Sequence, residues 1–477
     1  MHRDTHSPAL PTDIARRTFL RAGGVSLGAA ALGCLQQSAF ADADARALPR
    51  PTHRPRVRRV IFLCMAGGPT HLETFDYKPE LARRDGQPMP ESYTQGQAIA
   101  QLQGQELKCL GPLVKFRQHG QGGQWISDFL PWHAKMADEI CVIRSMRTDQ
   151  INHDPAHTFM NTGTAISGRP SMGSWVTYGL GSEAQDLPGF VVLTSRGGRS
   201  PQPIASRQWA AGFLPSRFQG VEFSATGEPV HYVRNPAGID ARQQRRLIDS
   251  VQRLNQHRHE QTHDPELETR IAAYELAFRM QTAVPDLMDM SDEPRHVLDL
   301  YGANPGDGSF ASNCLLARRL AERGVRFIHL YHRGWDHHDK LTHYMDICTR
   351  LTDRATWALV HDLKQRGMLD DTLIVWGGEF GRTPMAQTSK GDVGRDHHMK
   401  GFSMWVAGGG IRGGSSYGAT DELGYAAAEK IVNVRDLHAT MLHMLGIDPE
   451  RFTVKHQGLD MRLTGVEPAR VLHEILA

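Results

Sequence analysis

Val57-Arg58-Arg59-Val60-Ile61-Phe62-Leu63-Cys64-Met65, closed by Ala66-Gly67-Gly68-Pro69, is the stretch that decides the fold. A short apolar run ended by a Gly-Gly-Pro breaker reads as a buried strand. Residues 140–146, 190–194, 325–331, 372–376 and 402–407 have the same character. Their β-branched content and two-sided apolarity suit central strands of a parallel sheet. Helical patterns lie between them. Residues 312–323 carry Leu315, Leu316 and Leu320, with Gly324 where a C-cap belongs; residues 341–366 end at Gly367 and residues 434–445 at Gly446. Residues 241–283 are polar and helical. The alternation predicts an α/β fold with a mostly parallel central sheet sandwiched by helices.

The 477 residues carry 54 Lys and Arg against 52 Asp and Glu, a net charge of +2. No basic field exists for nucleic acid to follow, so no nucleic-acid partner is expected. With 40% hydrophobic and 22% charged residues the composition is globular, not disordered or fibrous. Beyond residue 41 no apolar run is long enough for a transmembrane segment. At the N-terminus, Arg16-Arg17-Thr18-Phe19-Leu20-Arg21 precedes a weakly apolar stretch and Ala39-Phe40-Ala41. This resembles a twin-arginine export signal over residues 1–41, and it implies a periplasmic or extracellular destination. Cys34 after Ala31-Leu32-Gly33 is a poor lipoprotein box, so lipid anchoring is the lesser reading. Residues 42–56 read as a linker and 57–477 as one domain, with surface insertions near 77–125 and 196–240. The five remaining cysteines are widely spaced and odd in number, against a full disulfide framework. Nothing in the sequence fixes the oligomeric state.

In open α/β sheets ligands bind beyond the carboxyl ends of the strands. Glu73 and Asp76 follow the first strand; His153 follows the second, beside Asp149, Asn152, Asp154 and His157. Asp336 and His338 follow the run at 325–331, and Glu379 and Arg382 the run at 372–376. Arg395, Asp396, His397 and His398 come after a Gly-rich loop. Carboxylates with imidazoles bind divalent metal, and two adjacent ions can clamp an ester during in-line displacement. The candidate ligands are therefore Glu73, Asp76, His153, Asp336, His338, Glu379, Asp396 and His397. A solvated polar loop is the alternative for each, and Asp76 equally suits a cap. Ser171 follows Pro170 at the start of a short helix, where a serine either caps the helix or, activated by metal, attacks phosphorus or sulfur. Arg169, Arg382 and Arg395 are candidates to hold anionic oxygens, the last two equally as structural partners of acids. His259-Glu260-Gln261-Thr262-His263 matches the zinc-protease pattern, but no apolar surroundings bury that face, and Asp264-Pro265 disfavours helix beyond it.

Several segments resemble the bacterial family known as domain of unknown function 1501. They are Gly67-Gly68-Pro69-Thr70-His71-Leu72-Glu73-Thr74-Phe75-Asp76, Arg169-Pro170-Ser171-Met172-Gly173-Ser174-Trp175, Tyr178-Gly179-Leu180-Gly181, Gly334-Trp335-Asp336, Gly378-Glu379-Phe380-Gly381-Arg382-Thr383-Pro384, Gly394-Arg395-Asp396-His397 and Ala407-Gly408-Gly409-Gly410. That family is grouped with the alkaline phosphatase and sulfatase superfamily. The resemblance implies a metal site at the carboxyl edge of the sheet, holding one or two divalent ions (Zn, Mg, Ca or Mn). It makes Glu73 or Asp76 the first acid, Ser171 the nucleophile position, Asp336 and His338 ligands of one metal, and His397 the late ligand. Glu379-Phe380 stands where the superfamily usually has Asp-His, and no C-x-P-x-R or S-x-P-x-R occurs, so formylglycine chemistry is not implied. The expectation is an exported metal-dependent hydrolase acting on a small anionic ester or a sulfated or phosphorylated glycan. The alternative is a non-catalytic envelope binding protein that keeps the fold.

Overall fold

The computed structural model describes residues 51–477, except 98, 198–201, 225–226, 231–234, 236–237, 263–264 and 390–391. The export motif at 16–21, Cys34 and His263 lie outside the described residues. Nine strands form the main sheet: β1 (Arg59–Ala66), β2 (Ile140–Arg147), β3 (Phe190–Arg196), β4 (Val221–Phe223), β5 (Phe327–Arg333), β6 (Thr372–Gly377), β7 (Phe402–Ala407), β8 (Ser415–Tyr417) and β9 (Val432–Asn433). Their order is β8-β2-β7-β6-β1-β5-β3-β4, with β9 also on β2. The apolar run that opened the sequence reading lies mid-sheet, with all eight residues of β1 buried. It pairs in parallel with β5 (Leu63 opposite Leu330) and with β6 (Leu63 opposite Trp376).

One strand departs from the expected parallel set. β7 runs antiparallel to both β2 and β6. It is entered from a two-stranded ribbon, Gly381–Ser389 against Asp392–His398, that leaves the end of β6 and turns straight back. Only three residues, Met399 to Gly401, separate the ribbon from β7, too few for the crossover a parallel strand needs. Its reversal puts the start of β7 at the rim where β1, β5 and β6 end.

Helices cover both faces: α1 (His153–Thr162), α2 (Met172–Leu180), α3 (Ala241–Thr262), α4 (Pro265–Met288), α5 (Phe310–Glu322), α6 (Leu341–Gln365) and α7 (Val434–Met444). The period-2 alternation of β1 divides the core. Ile61, Leu63 and Met65 pack in one cluster with Leu315 and Leu316 of α5 and Leu359 of α6. Val60, Phe62 and Cys64 pack in the other with Phe159 of α1, Trp175 of α2 and Leu437 of α7. Each buried Leu or Phe here contributes roughly 1.5–3 kcal/mol of transfer free energy.

The expected linker and both insertions pack against the rest of the chain. The end of the expected linker is docked: Thr52 and Arg56 donate backbone bonds to Gly446 and Met444, and the His53 ring stacks on His443. The 77–125 insertion has its own small core, in which Leu81, Met89, Leu102 and Cys109 pack against Met385 of the ribbon and Leu423 and Tyr425. In the second insertion Trp209, Leu214 and Phe218 are buried. Cys64, Cys109, Cys141, Cys314 and Cys348 are buried free thiols. No helix among the described residues is long and apolar enough to cross a membrane.

Candidate metal centre

Two glycines let the strand ends converge. Gly67 follows β1 at φ +124, and a Cβ there would lie 2.5 Å from the Asp336 amide nitrogen. Gly334 follows β5 at φ +120 and starts the turn that delivers Asp336, His337 and His338. Only glycine takes such angles without strain. β6 ends beside Glu379, α1 opens with His153, and the ribbon brings Arg382, Arg395, Asp396 and His397 to the same rim.

Asp336 Oδ1 is the focus. Arg382 Nη2 lies 2.6 Å away, His338 Nε2 2.9 Å, His397 Nε2 3.2 Å and His153 Nε2 3.3 Å. His338 Nε2 and His397 Nε2 are themselves 2.9 Å apart. The far side of each ring fixes its tautomer. His397 Nδ1 donates to the Ile151 carbonyl at 2.9 Å, and His338 Nδ1 donates at 2.6 Å to Gln387 Oε1, whose amide donates onward to Gln101. In the neutral rings both Nε2 atoms therefore present lone pairs, to each other and to a carboxylate oxygen. Three acceptors at such distances repel unless a cation or a proton lies among them. Zinc bonds of about 2.0–2.1 Å in a tetrahedron separate ligand atoms by roughly 3.3 Å, so the spacing fits a small divalent ion. Outer acceptors that fix each imidazole are the usual support of metal-binding histidines.

Charge follows the same geometry. Burial pushes the Asp336 carboxyl up, but the Arg382 guanidinium and the hydrogen bond from His153 hold it far below the usual carboxylate range. Burial lowers His397 to about 4 although Asp336 pulls the other way. His153 goes up to about 9: its bonds to Asp336 and Glu379 outweigh burial. Glu379 falls to about 2, since His157 and His153 overcome the effect of burial. Its oxygens accept from the Gly67 amide at 3.0 Å, the Gly68 amide at 3.3 Å and His153 Nδ1 at 2.6 Å.

The structure brings His153, Asp336, His338, Glu379, Asp396 and His397 together: His153–Asp336–His397, His338–Asp396–His397 and, with His157, His153–His157–Glu379 each have ligand atoms within 4.8 Å of one another. Other expected residues are occupied elsewhere. Glu73 is clasped by Arg395, at 2.7 Å from Nη2 and 3.0 Å from Nε, with both side chains fully buried. The remaining Arg395 donors go to the Leu110, Gly111 and Thr383 carbonyls. Neither residue is free for a metal or an anion. Asp76 pairs with Lys78 at 3.1 Å and accepts from Thr420, so it is neither a ligand of this cluster nor a helix cap. Asp396 takes the Gln101, Leu102 and His397 amides, which ties the 77–125 insertion to the centre. Arg382 is buried, bonded to the Gly67, Gly68 and Arg395 carbonyls and to Asp336; it holds a ligand in place of an external anion.

Ser171 precedes α2 but is 1% exposed, and its Oγ bonds Ser174 Oγ at 2.9 Å. It stands at the N-cap of α2, where its carbonyl accepts from the Trp175 amide, but its side chain makes no capping bond and is not among the residues of the cluster. Arg169 lies over the Phe213 ring in a separate cavity of about 500 Å³ shared with Trp175, Arg435 and Arg462. Sequence reasoning placed His157 near a strand end but not in the ligand set; its i,i+4 spacing from His153 on α1 was the available signal. Gln387 and Gln101 carry no such signal.

Comparison with known proteins gives distant structural likenesses. A protein of the alkaline phosphatase superfamily from Vibrio parahaemolyticus is 12% identical, with 95% of this chain and 79% of that chain covered at TM-score 0.35. The phosphonate monoester hydrolase SpPMH from Silicibacter pomeroyi is 12% identical over 73% of this chain and 71% of its own, at TM-score 0.31. The PsFucS1 sulfatase from Pseudoalteromonas sp. is 13% identical over 83% and 68%, at TM-score 0.33. No curated protein matches in sequence. The family described as "Protein of unknown function (DUF1501)" matches residues 57–476, essentially the whole sheet, its helices and the rim that carries the centre, and the chain belongs to that family.

Proposed function

We propose that the chain is a hydrolase that uses a divalent cation, held by Asp336, His338 and His397, to cleave a phosphate or sulfate ester. One observation carries the reading: two imidazole lone pairs, each fixed by an outer acceptor, and a carboxylate oxygen converge within 3.2 Å. A cation bound there supplies Lewis-acid polarisation of an anionic ester oxygen. Arg382 and the Gly334 turn hold Asp336 in place. Ile151 and Gln387 hold the two rings. With Ser171 buried at the start of α2 beside Ala210, the attacking group in this reading is water. A cleft of about 640 Å³ adjoins the centre, lined by Gln97, Gln101, Gln103, Asn152 and Ile151. Uncharged amides suit the hydroxyls of a sugar, which favours a sulfated or phosphorylated glycan as substrate. The Arg16-Arg17 motif adds the expectation that the reaction takes place outside the cytoplasm.

The second reading, a non-catalytic binding protein, draws its support from Ser171, whose buried Oγ removes the superfamily's nucleophile. Metal analysis of the folded protein, with turnover of aryl phosphates and aryl sulfates across zinc, magnesium, calcium and manganese, decides between them. The hydrolase reading expects bound metal and turnover, both lost in Asp336→Asn. Metal without turnover on any ester favours the binding protein. Absence of metal removes the hydrolase.

A further inference from the structure

We propose that His153, His157 and Glu379 form a second site for a zinc-class divalent cation, wedged between α1 and the end of β6. His153 and His157 lie one helical turn apart on the same face of α1. His153 Nδ1 is 2.6 Å and His157 Nε2 3.3 Å from the same Glu379 oxygen. Two imidazoles and one carboxylate are a zinc-type donor set. A second observation is independent of that clustering. His157 is fully buried, and neither of its ring nitrogens has a hydrogen-bond partner among the described residues. A neutral imidazole carries one N–H and one lone pair, and burying both without partners is costly. A cation at Nε2 uses the lone pair directed toward Glu379. Glu379 stays in place because the Gly67 and Gly68 amides hold it.

His153 joins the two centres. With Nδ1 given to the second cation, its Nε2–H faces Asp336 Oδ1 at 3.3 Å. Asp336 is then a ligand of the first ion and the orienting carboxylate for a ligand of the second, a carboxylate–histidine–metal arrangement. The site deepens the hydrolase reading and rests on it only for the role of Asp336.

The full chain, loaded with zinc chloride and freed of excess by gel filtration, is measured for zinc per chain by mass spectrometry. Two equivalents are expected, falling to one in His157→Leu. Because a buried substitution can prevent folding, the unmodified protein is also crystallised and its zinc-edge anomalous map recorded. A peak among His153, His157 and Glu379 supports the site whether or not the Asp336 centre is filled. A peak at Asp336, His338 and His397 alone overturns the second site and leaves the hydrolase reading standing. No peak at either place overturns both.

Discussion

Replacing Arg395 by methionine separates a structural ion pair from a functional one. Arg395 and Glu73 are both fully buried, and Arg395 spends its donors on Glu73 and on the Leu110, Gly111 and Thr383 carbonyls. In Arg395→Met, Glu73 keeps only the Thr70 hydroxyl at 2.6 Å and the Leu113 amide at 3.4 Å. Breaking one partner of a buried pair costs about 3–5 kcal/mol, because the other charge is left uncompensated. The expected loss is in that range. Adding Glu73→Leu removes the stranded charge while the three carbonyls stay unpaired, so the double variant recovers part of the loss, a coupling of about 1–3 kcal/mol. Urea unfolding followed by tryptophan fluorescence measures both, and zinc content of the native protein is measured alongside. Arg395 touches none of the three proposed ligand atoms, so zinc content should survive wherever the variant folds. An unchanged unfolding midpoint together with lost zinc would refute the reasoning and return Glu73 and Arg395 to the site.

Gln387→Ala removes the acceptor that fixes the His338 ring; zinc affinity should fall roughly 10–100-fold in chelator competition, and an unchanged affinity speaks against the tautomer argument. Gly394→Ala drives a methyl group into the His338 carbonyl. The shifted turn should lower zinc affinity roughly tenfold or more, whereas wild-type affinity and stability would mean that the contact gives way freely. Burial lowers the His398 and His438 imidazoles to about 3 and about 4. An unfolded histidine titrates near 6.5, so the unfolded chain binds more protons below that pH. The stability these residues give is full above about pH 6.5 and is lost as pH falls toward their folded values. His153, raised to about 9, has the opposite sign: its contribution is full below about 6.5 and fades through about 9. Urea midpoints from pH 4 to 10 should therefore peak near neutrality, and a flat profile would contradict both assignments.

The strands were legible because being apolar on both sides is a property of the segment itself. β1, β6 and β7 stand within a residue or two of the runs read for them. Direction is not written locally. Residues 402–407 look like any buried strand, and only the short return from the ribbon makes β7 antiparallel. The rim residues show the same divide. Asp336 and His338 are legible from their positions beside a strand end and His397 from its place beyond the Gly-rich segment, and the structure brings them into contact. Glu73 and Asp76 hold equivalent positions after β1, yet their partners Arg395, Lys78 and Thr420 are a matter of tertiary placement. Ser171 follows its loop as expected, but the Ala210 segment that covers it lies forty residues on and leaves no local mark.

Timing during synthesis follows from the backward course of β7. Asp336 and His338 are made together, but His397 follows His338 by 59 residues, on the ribbon that leads into β7. A nascent chain on the ribosome short of residue 397 lacks the third donor, and one short of residue 407 lacks the whole of the strand that follows the ribbon into the sheet. In the proposed reading, cation capture is therefore a late event in the life of the polypeptide. Prematurely terminated products would be poor competitors for the ion.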